Sequence, residues 1–418
     1  MFNTLRNAWK IPDLRNKMMF TLAMLIVFRF GTFVSVPGMN IEAIKQLVTS
    51  GGLLGFFDVI SGGAFNNFSI FTMSITPYIN ASIIMQLLTI AIPSLEALSK
   101  EGEEGRRKIA QYVRYATVVL ALVQGIAISY GLRGYLIERN FWTYTVVALS
   151  LTAGTAFLMW LGELINEKGI GNGISLLIFA GIVSRIPVGI NKLYLAYLDK
   201  TVNILTLIIF LLVAVAIIMA VVYIQEGQRR IPVQYAKRVV GRKMYGGQST
   251  HIPLKVNQAG VIPVIFAMSL LTFPTQIASF FPNSAFYGFM TKYFDWGTPL
   301  QGIMYALLII GFTYFYTAVT FNPVEVSNNI KKYGGFIPGI RPGKPTTDFI
   351  VKSLNRITLV GAIFLAVIAI IPIFLLKFAQ IPVYFGSTSL LIVVGVAMDF
   401  VKQVEAQMVM RNYQGFLK

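Results

Sequence analysis

Side chains that carry out chemistry are scarce in this sequence. Its 418 residues include 17 acidic residues, one histidine and no cysteine. The lack of cysteine excludes disulfides, thiolate metal sites and cysteine nucleophiles. Acidic residues such as Glu163 and Asp399 lie at the ends of apolar segments, and His251 lies in a basic loop. No group of Asp, Glu or His has the spacing of metal ligands, so we predict no catalytic residue, no metal, no cofactor and no enzyme activity.

One segment has a superficial likeness to a phosphate-binding loop. Residues 339–346 read GIRPGKPT. A P-loop needs a glycine five places before Gly343, where this chain has Pro338, and it needs Ser or Thr directly after Lys344. The sequence therefore predicts no nucleotide site, and energy for any transport must come from outside the chain.

The apolar residues indicate a polytopic membrane protein. The chain is 56% hydrophobic and 12% charged, with a mean hydropathy of +0.68. A spanning helix needs about 20 mostly apolar residues, and continuous runs of that kind exclude a barrel, in which apolar and polar residues alternate. We predict ten spans, near 18–36, 70–92, 112–132, 143–162, 173–190, 203–224, 258–281, 300–321, 354–376 and 383–401.

The distribution of basic residues sets the orientation. The net charge is +18, and most of the 35 Lys and Arg residues lie in segments that are cytoplasmic if the N-terminus is inside. Both termini are then cytoplasmic. The first fifteen or so residues are polar and basic, and no small-residue cleavage site follows the first apolar run, so we expect the first helix to be retained and residues 1–17 to form a cytoplasmic amphipathic N-terminus. The predicted parts are a basic N-terminus (1–17), a first half (18–190), an external connection (191–202), a second half (203–401) and a tail (402–418).

Two cytoplasmic loops are too long and too basic to be simple connections. Residues 225–257 carry alternating segments around a glycine pair, which is typical of a hairpin, and residues 322–352 are rich in Gly and Pro. Such loops can bind anionic lipid, or they can dock a cytoplasmic partner with an acidic or phosphate-rich surface, such as a ribosome.

Inside the runs, the regular feature is isoleucine. Ile75 and Ile79 share one helical face, as do Ile174 and Ile178, and taken alone such stripes face lipid or core. Asn80 is a polar amide in hydrocarbon, which usually points into a seam between helices. Arg29 is the basic residue that we place well inside a run, and we expect it to reach the interface or to pair with an acid or carbonyl, with no transport role.

Several motifs resemble the SecY family. They are GTFVSVPG (31–38), SITPYINASIIMQLL (74–88), EGEEGRRKIAQYVRY (101–115), MWLGELINEKGIGNGIS (159–175), GQRRIPVQYAKR (227–238), STHIPLKVNQAGVIPVIFA (249–267), FNPVEVSNNIKKYGGFIPGIRPG (321–343) and FGSTSLLIVVGVAMDF (385–400). They occur in order over essentially the whole chain. The resemblance implies the central subunit of the bacterial protein-conducting channel, an all-α membrane protein with two pseudo-symmetric inverted halves of five helices.

The resemblance also implies the parts of a gated pore. A mid-membrane ring would consist of Ile75, Ile79, Ile174, Ile178, Ile265 and Ile392, with Ile262 as an alternative to Ile265. A short, non-spanning plug helix, about residues 53–64, would seal the external side with Leu53, Leu54, Phe56, Phe57, Val59, Ile60 and Ala64. A lateral gate that opens toward lipid would be lined by Asn80, Gln124 and Phe273.

The family's partners follow from the same resemblance. They are SecE, SecG, the motor ATPase SecA, the ribosome, signal sequences, nascent preproteins and membrane lipids. The docking residues for SecA or the ribosome would be Lys237, Arg238, Arg242, Lys243 and Arg341. The location would be the bacterial plasma membrane. Two other functions fit the layout without the resemblance, namely a secondary transporter and a docking receptor without a pore; the lack of buried acids argues against the transporter.

Overall fold

A computed structural model describes most of the chain, namely residues 2–49, 58, 61–235, 238–240, 243–245, 249–278, 284–294, 298–379 and 387–415. In the first part the helices are α1 (Phe2–Trp9), α2 (Pro12–Gly31), α3 (Ile41–Thr49), α4 (Thr76–Ala91), α5 (Pro93–Lys100), α6 (Glu103–Gly131), α7 (Phe141–Lys168) and α8 (Gly173–Leu198), with a 3-10 turn at Arg133–Tyr135. In the second part they are α9 (Ile204–Glu226), α10 (Ile262–Ala278), α11 (Ala285–Tyr293), α12 (Pro299–Thr320), α13 (Pro323–Lys332), α14 (Lys344–Ala379) and α15 (Ser387–Gly415).

Local signals fix several helix starts. Asn172 caps α8, because its side-chain oxygen accepts the Ser175 N–H at 3.3 Å, and Asn322 caps α13 in the same way. Proline occupies the first turn of α4, where the missing N–H costs nothing. A proline further inside a helix would break it, so α4 begins at Thr76 and not near residue 70, where the hydropathy pattern places its start.

Within the described residues, six helices are long and apolar enough to cross a membrane, or seven if the bent pair α4 and α5 counts as one span. The predicted span at 383–401 begins outside the described residues, and two of the other predicted spans are charged or short. Helix α2 contains Arg15, Lys17 and Arg29, and the apolar part of α10 is only Ile262–Thr275. The chain is therefore a multi-pass, mostly helical protein, while the count of ten spans remains a prediction.

The helices of the second part repeat the neighbours of the first. Helix α4 packs on α6, α6 on α7, α7 on α8, and α2 on α8. In the same order, α10 packs on α12, α12 on α14, α14 on α15, and α9 on α15. The two groups meet where α4 contacts α10 and where α8 contacts α15.

A small sheet joins the two basic loops. Strand β1 (Gln228–Tyr235) pairs antiparallel with β4 (Ser249–Lys255), which confirms the predicted hairpin, and β2 (Arg238–Val240) pairs with β3 (Lys243–Tyr245). Strand β5 (Gly335–Phe336), from the second loop, pairs with the other edge of β1. The second loop also contains α13 and the first turns of α14. The two loops therefore form one folded unit with its own apolar core, which includes Ile231, Val233, Leu254, Ile330 and Ile337.

Residues 61–75 form a chain of turns that is buried inside the first group of helices. Part of its backbone bonds to the segment that follows α2, since Val36 N–H donates to Phe68 O and Ile70 N–H to Val34 O. A Cβ on Gly154 of α7 would lie 1.9 Å from Ile70 O, so only glycine permits this close approach. The structure thus differs from the predicted plug helix at its end, because Gly62 and Gly63 have positive φ and Ala64 lies in a turn.

Candidate functional site

The six predicted ring isoleucines lie in one hydrophobic cluster, which is the main apolar core of the described residues and contains many other side chains. Ile75, Ile178 and Ile392 are among its buried members, and Ile79, Ile174 and Ile265 pack against it partly buried. Helices α4, α8, α10 and α15 each contribute, so the cluster belongs to both groups of helices. Ile262 packs against the same cluster, and the choice between Ile262 and Ile265 stays a prediction.

A cavity of about 210 Å³ opens beside this cluster, between the two groups of helices. The start of α8 contributes Asn172 and Ser175, and α15 contributes Asp399 and Gln403. Gly260, just before α10, completes the wall. A space between the halves is what the layout of the spans predicts, and here its polar side chains lead toward the apolar cluster.

Residues of the predicted plug are only partly described. Leu53, Leu54, Phe56, Phe57, Val59 and Ile60 lie outside the described residues. Ala64 is fully buried and belongs to the cluster that contains the ring isoleucines. The turn of residues 61–64 and the predicted ring isoleucines therefore belong to the same apolar core.

Two arginines hold this turn. The Arg29 guanidinium donates to the Gly62 carbonyl and to Ser184 Oγ at 3.3 Å, so of the alternatives expected for Arg29 it pairs with a carbonyl, although one in a turn and not at a helix end. Arg185 Nη2 forms a largely buried ion pair with Asp58 Oδ2, so the expectation that the chain lacks buried acids is wrong at Asp58. Arg185 was not predicted as a site residue, because it lies close to the end of the predicted fifth span at residue 190, whereas α8 continues to Leu198 and places Arg185 in its middle. An acid and a base that are each isolated in apolar sequence are the signal that could have found this pair.

At the predicted lateral gate, one contact joins the two groups of helices. Asn80 of α4 is buried, and its Oδ1 accepts a hydrogen bond of 2.6 Å from Ser269 Oγ of α10. Sequence reasoning missed Ser269. Gln124 is buried on α6 next to Gly125, which packs on Ala148 of α7, and none of the described hydrogen bonds links Gln124 to α10. Phe273 is partly buried on α10.

Of the five predicted docking residues, the structure describes Arg238, Lys243 and Arg341, which lie in or next to the strands of the two basic loops. Arg341 is exposed in the tight loop before α14, where its carbonyl accepts the Thr346 hydroxyl at 2.9 Å. Arg238 and Lys243 lie on β2 and β3, of which only the backbone is described, and Lys237 and Arg242 lie outside the described residues. Among the described residues, no three His, Asp or Glu side chains are grouped to hold a metal ion.

Comparison with known sequences decides the family. The family model described as SecY matches residues 69–401. The chain belongs to the SecY family.

Relatives within the SecY family align over nearly all of the chain. The protein translocase subunit SecY of Halalkalibacterium halodurans is 51% identical over 431 residues and covers 100% of both chains. The protein of the same name from Bacillus subtilis is 49% identical with the same coverage. That of Escherichia coli K12 is 46% identical, covering 98% of this chain and 95% of the relative. SecY membership therefore does not rest on a local motif.

Solved structures show the same fold. A structure described as that of a protein-conducting channel matches with a TM-score of 0.67 at 19% identity, covering 95% of this chain and 93% of the other. Sec61 in a canine ribosome-channel complex matches with a TM-score of 0.63 at 17% identity and the same coverage. Together with the SecY relatives, the channel fold confirms the function that the sequence analysis expected, which is protein translocation through a channel.

Proposed function

We propose that this chain is the central subunit of the bacterial plasma-membrane translocase, with ten spans in two inverted halves and both termini in the cytoplasm. The repeated packing order of the helices supports the two halves. The observation that carries the proposal is that Ile75, Ile79, Ile174, Ile178, Ile265 and Ile392 all lie in the one apolar core to which both halves contribute.

An aliphatic ring suits a channel for many different polypeptides. Water and ions that enter it lose hydration and gain no polar partner, so the constriction closes by dewetting. Isoleucine offers no hydrogen bond and no charge to a passing chain. The ring therefore seals the pore without selecting a particular sequence, and the turn of residues 61–64, part of the proposed plug, adds a second barrier next to it.

The contact between Asn80 and Ser269 supports a lateral gate between α4 and α10. A hydrogen bond between membrane helices is worth only about 0.6 kcal/mol on average. An apolar signal sequence that packs between the two helices can replace it. In this proposal Gln124 and Phe273 line the same opening, through which membrane segments pass into lipid.

The basic sheet unit is proposed to dock the partners that drive transport. It joins Arg341 to the hairpin that carries Arg238 and Lys243. An exposed arginine at a fixed turn suits bidentate contact with a carboxylate or phosphate, so SecA and the ribosome are the proposed partners, with SecE and SecG completing the membrane complex. The ribosome-bound structural neighbour supports the ribosome. No catalytic role is proposed for this chain.

Reconstitution tests the proposal. The chain, assembled with SecE and SecG in vesicles, should show ion conductance that depends on a signal peptide and uptake of a preprotein driven by SecA and ATP. A secondary transporter would instead take up a small solute without a signal peptide. A docking receptor would bind SecA or ribosomes and show no conductance, and either result would contradict the channel.

A further inference from the structure

Asp58 is the only charged residue in the sequence between Lys45 and Glu96. Its side chain is 10% exposed and pairs with Arg185, whose side chain is 15% exposed. The other carboxylate oxygen accepts the Asn66 N–H at 2.7 Å, and the Asp58 carbonyl accepts the Gly63 N–H at 2.8 Å. Asp58 therefore ties the turn that follows it to helix α8.

Arg29 holds the same turn from the other side. Its guanidinium reaches the Gly62 carbonyl from α2 and lies 4.8 Å from the Phe33 ring centroid. Two guanidinium groups thus face this segment, and among the described residues Asp58 is the carboxylate that pairs with either of them. If Asp58 loses its charge, two cations remain close together in a partly buried space, which is a strongly unfavourable arrangement.

The turn contacts α8 through close backbone packing as well as through the ion pair. A Cβ on Gly62 would lie 2.8 Å from the Cα of Gly181, and a Cβ on Gly63 would lie 2.9 Å from Arg185 Cζ. The two glycines thus let the backbone approach α8 near enough for the ion pair to form. The pair and the turn geometry depend on each other.

We propose that Asp58, Arg185 and Arg29 form an ionic latch that holds the turn of residues 61–64 against α2 and α8 and sets how readily it leaves the constriction. The latch stabilises only the position in which the turn is seated against α2 and α8. When the turn is seated, the charged groups are shielded from water, and the ion pair stabilises the seated position because an unpaired charge there would be unfavourable. When the turn moves away, each charged group is hydrated, and the ion pair contributes little to stability. The consequence for conduction rests on the proposed channel, whereas the contact itself does not.

Hydrogen exchange of the full chain in its assembled complex tests the contact directly. Arg185→Gln should speed exchange at the amides of Asn66 and Ser69 by about tenfold or more, although Arg185 bonds to neither amide. Glu163→Gln is the matched control, since Glu163 is also ion-paired, to Arg114 at 2.7 Å, but joins α7 to α6. It should leave these amides unchanged. Unchanged exchange in Arg185→Gln, or equal acceleration in both variants, would overturn the latch.

Resting ion flux without substrate tests the consequence. Asp58→Asn should raise flux more than Arg185→Gln, because it leaves two unpaired cations. The double variant Asp58→Asn/Arg185→Gln should not exceed Asp58→Asn, and the reversed pair Asp58→Arg/Arg185→Asp should leak less than Asp58→Arg alone. Additive effects would contradict the latch. If exchange responds but no variant or wild-type complex ever conducts, the latch stands and the channel proposal fails.

Discussion

Ser269 Oγ donates a 2.6 Å hydrogen bond to Asn80 Oδ1, and the two residues are 189 positions apart in the sequence. Both side chains are buried, so the bond lies in the seam between α4 and α10. It is a described side-chain hydrogen bond that links the two proposed gate helices, and its strength bears on how easily they separate.

Removing this bond should lower the threshold for signal recognition. We expect Ser269→Ala and Asn80→Leu to allow export of preproteins whose signal sequences are too weakly hydrophobic for the wild type. Export across a series of signals of graded hydrophobicity measures the effect. Thr117→Ala is the control, since Thr117 donates to Val113 O within its own helix. The same export limit in wild type and Ser269→Ala would argue against a gate at this seam.

Arg341 should be needed for coupling to the motor. Arg341→Glu reverses an exposed charge without disturbing the loop, which is held by its backbone and by Thr346. We expect normal insertion and loss of the ATP hydrolysis by SecA that a translocating preprotein stimulates. Lys332→Glu makes the same charge change at an exposed position of α13, in the same loop, and should retain most of the stimulation. Equal losses in both variants would indicate general charge repulsion.

A polar side chain in the isoleucine cluster should admit water. Ile178→Asn and Ile392→Asn are expected to raise resting ion conductance in planar bilayers by about tenfold, because dewetting fails when a side chain can hydrogen-bond water. Ile178→Leu keeps the apolar volume and should stay near wild type. If the asparagine variants conduct no more than Ile178→Leu, the cluster is ordinary core and not a constriction.

Gly154 should be required for stability, because α7 and the turn chain touch there. Gly154→Ala places a Cβ 1.9 Å from Ile70 O, and overpacking of this kind costs about 1–3 kcal/mol. The unfolding midpoint of the purified protein should fall by several degrees. A Cβ on Gly302 of α12 meets nothing within 4 Å, so Gly302→Ala should not lower it. A midpoint unchanged by Gly154→Ala would mean that the turn chain relaxes freely.

How much the sequence predicts depends on the range of the signal. Hydropathy located most helices, and the alternating strands around the predicted turn located the hairpin of β1 and β4, because both patterns are local. The pairing of β5 with β1 joins residues about a hundred positions apart, and no local pattern encodes it. The start of α4 moved because Pro77 and the turns before it override hydropathy.

The site shows the same division. The resemblance predicted six ring isoleucines, and in the structure all six lie in the same apolar core. It also picked Asn80 but not Ser269, since a serine in an apolar run carries no sign of its partner. Asp58 and Arg185 could have been noticed as opposite charges in apolar surroundings, but only the packing of the turn against α8 shows that they meet.

Because Asp58 is negatively charged, the position of the proposed seal should depend on the membrane voltage. If the segment that contains Asp58 moves along the membrane normal, one negative charge moves through the transmembrane electric field. Arg29 and Arg185 stay on their helices. In the proposed orientation, an inside-negative voltage drives that charge outward, away from the constriction. Crossing half of a 100 mV field is worth about 1 kcal/mol, roughly a fivefold change in the ratio of released to seated segments. The fraction of closed channels would thus depend on the membrane voltage through Asp58, and Asp58→Asn would remove this contribution.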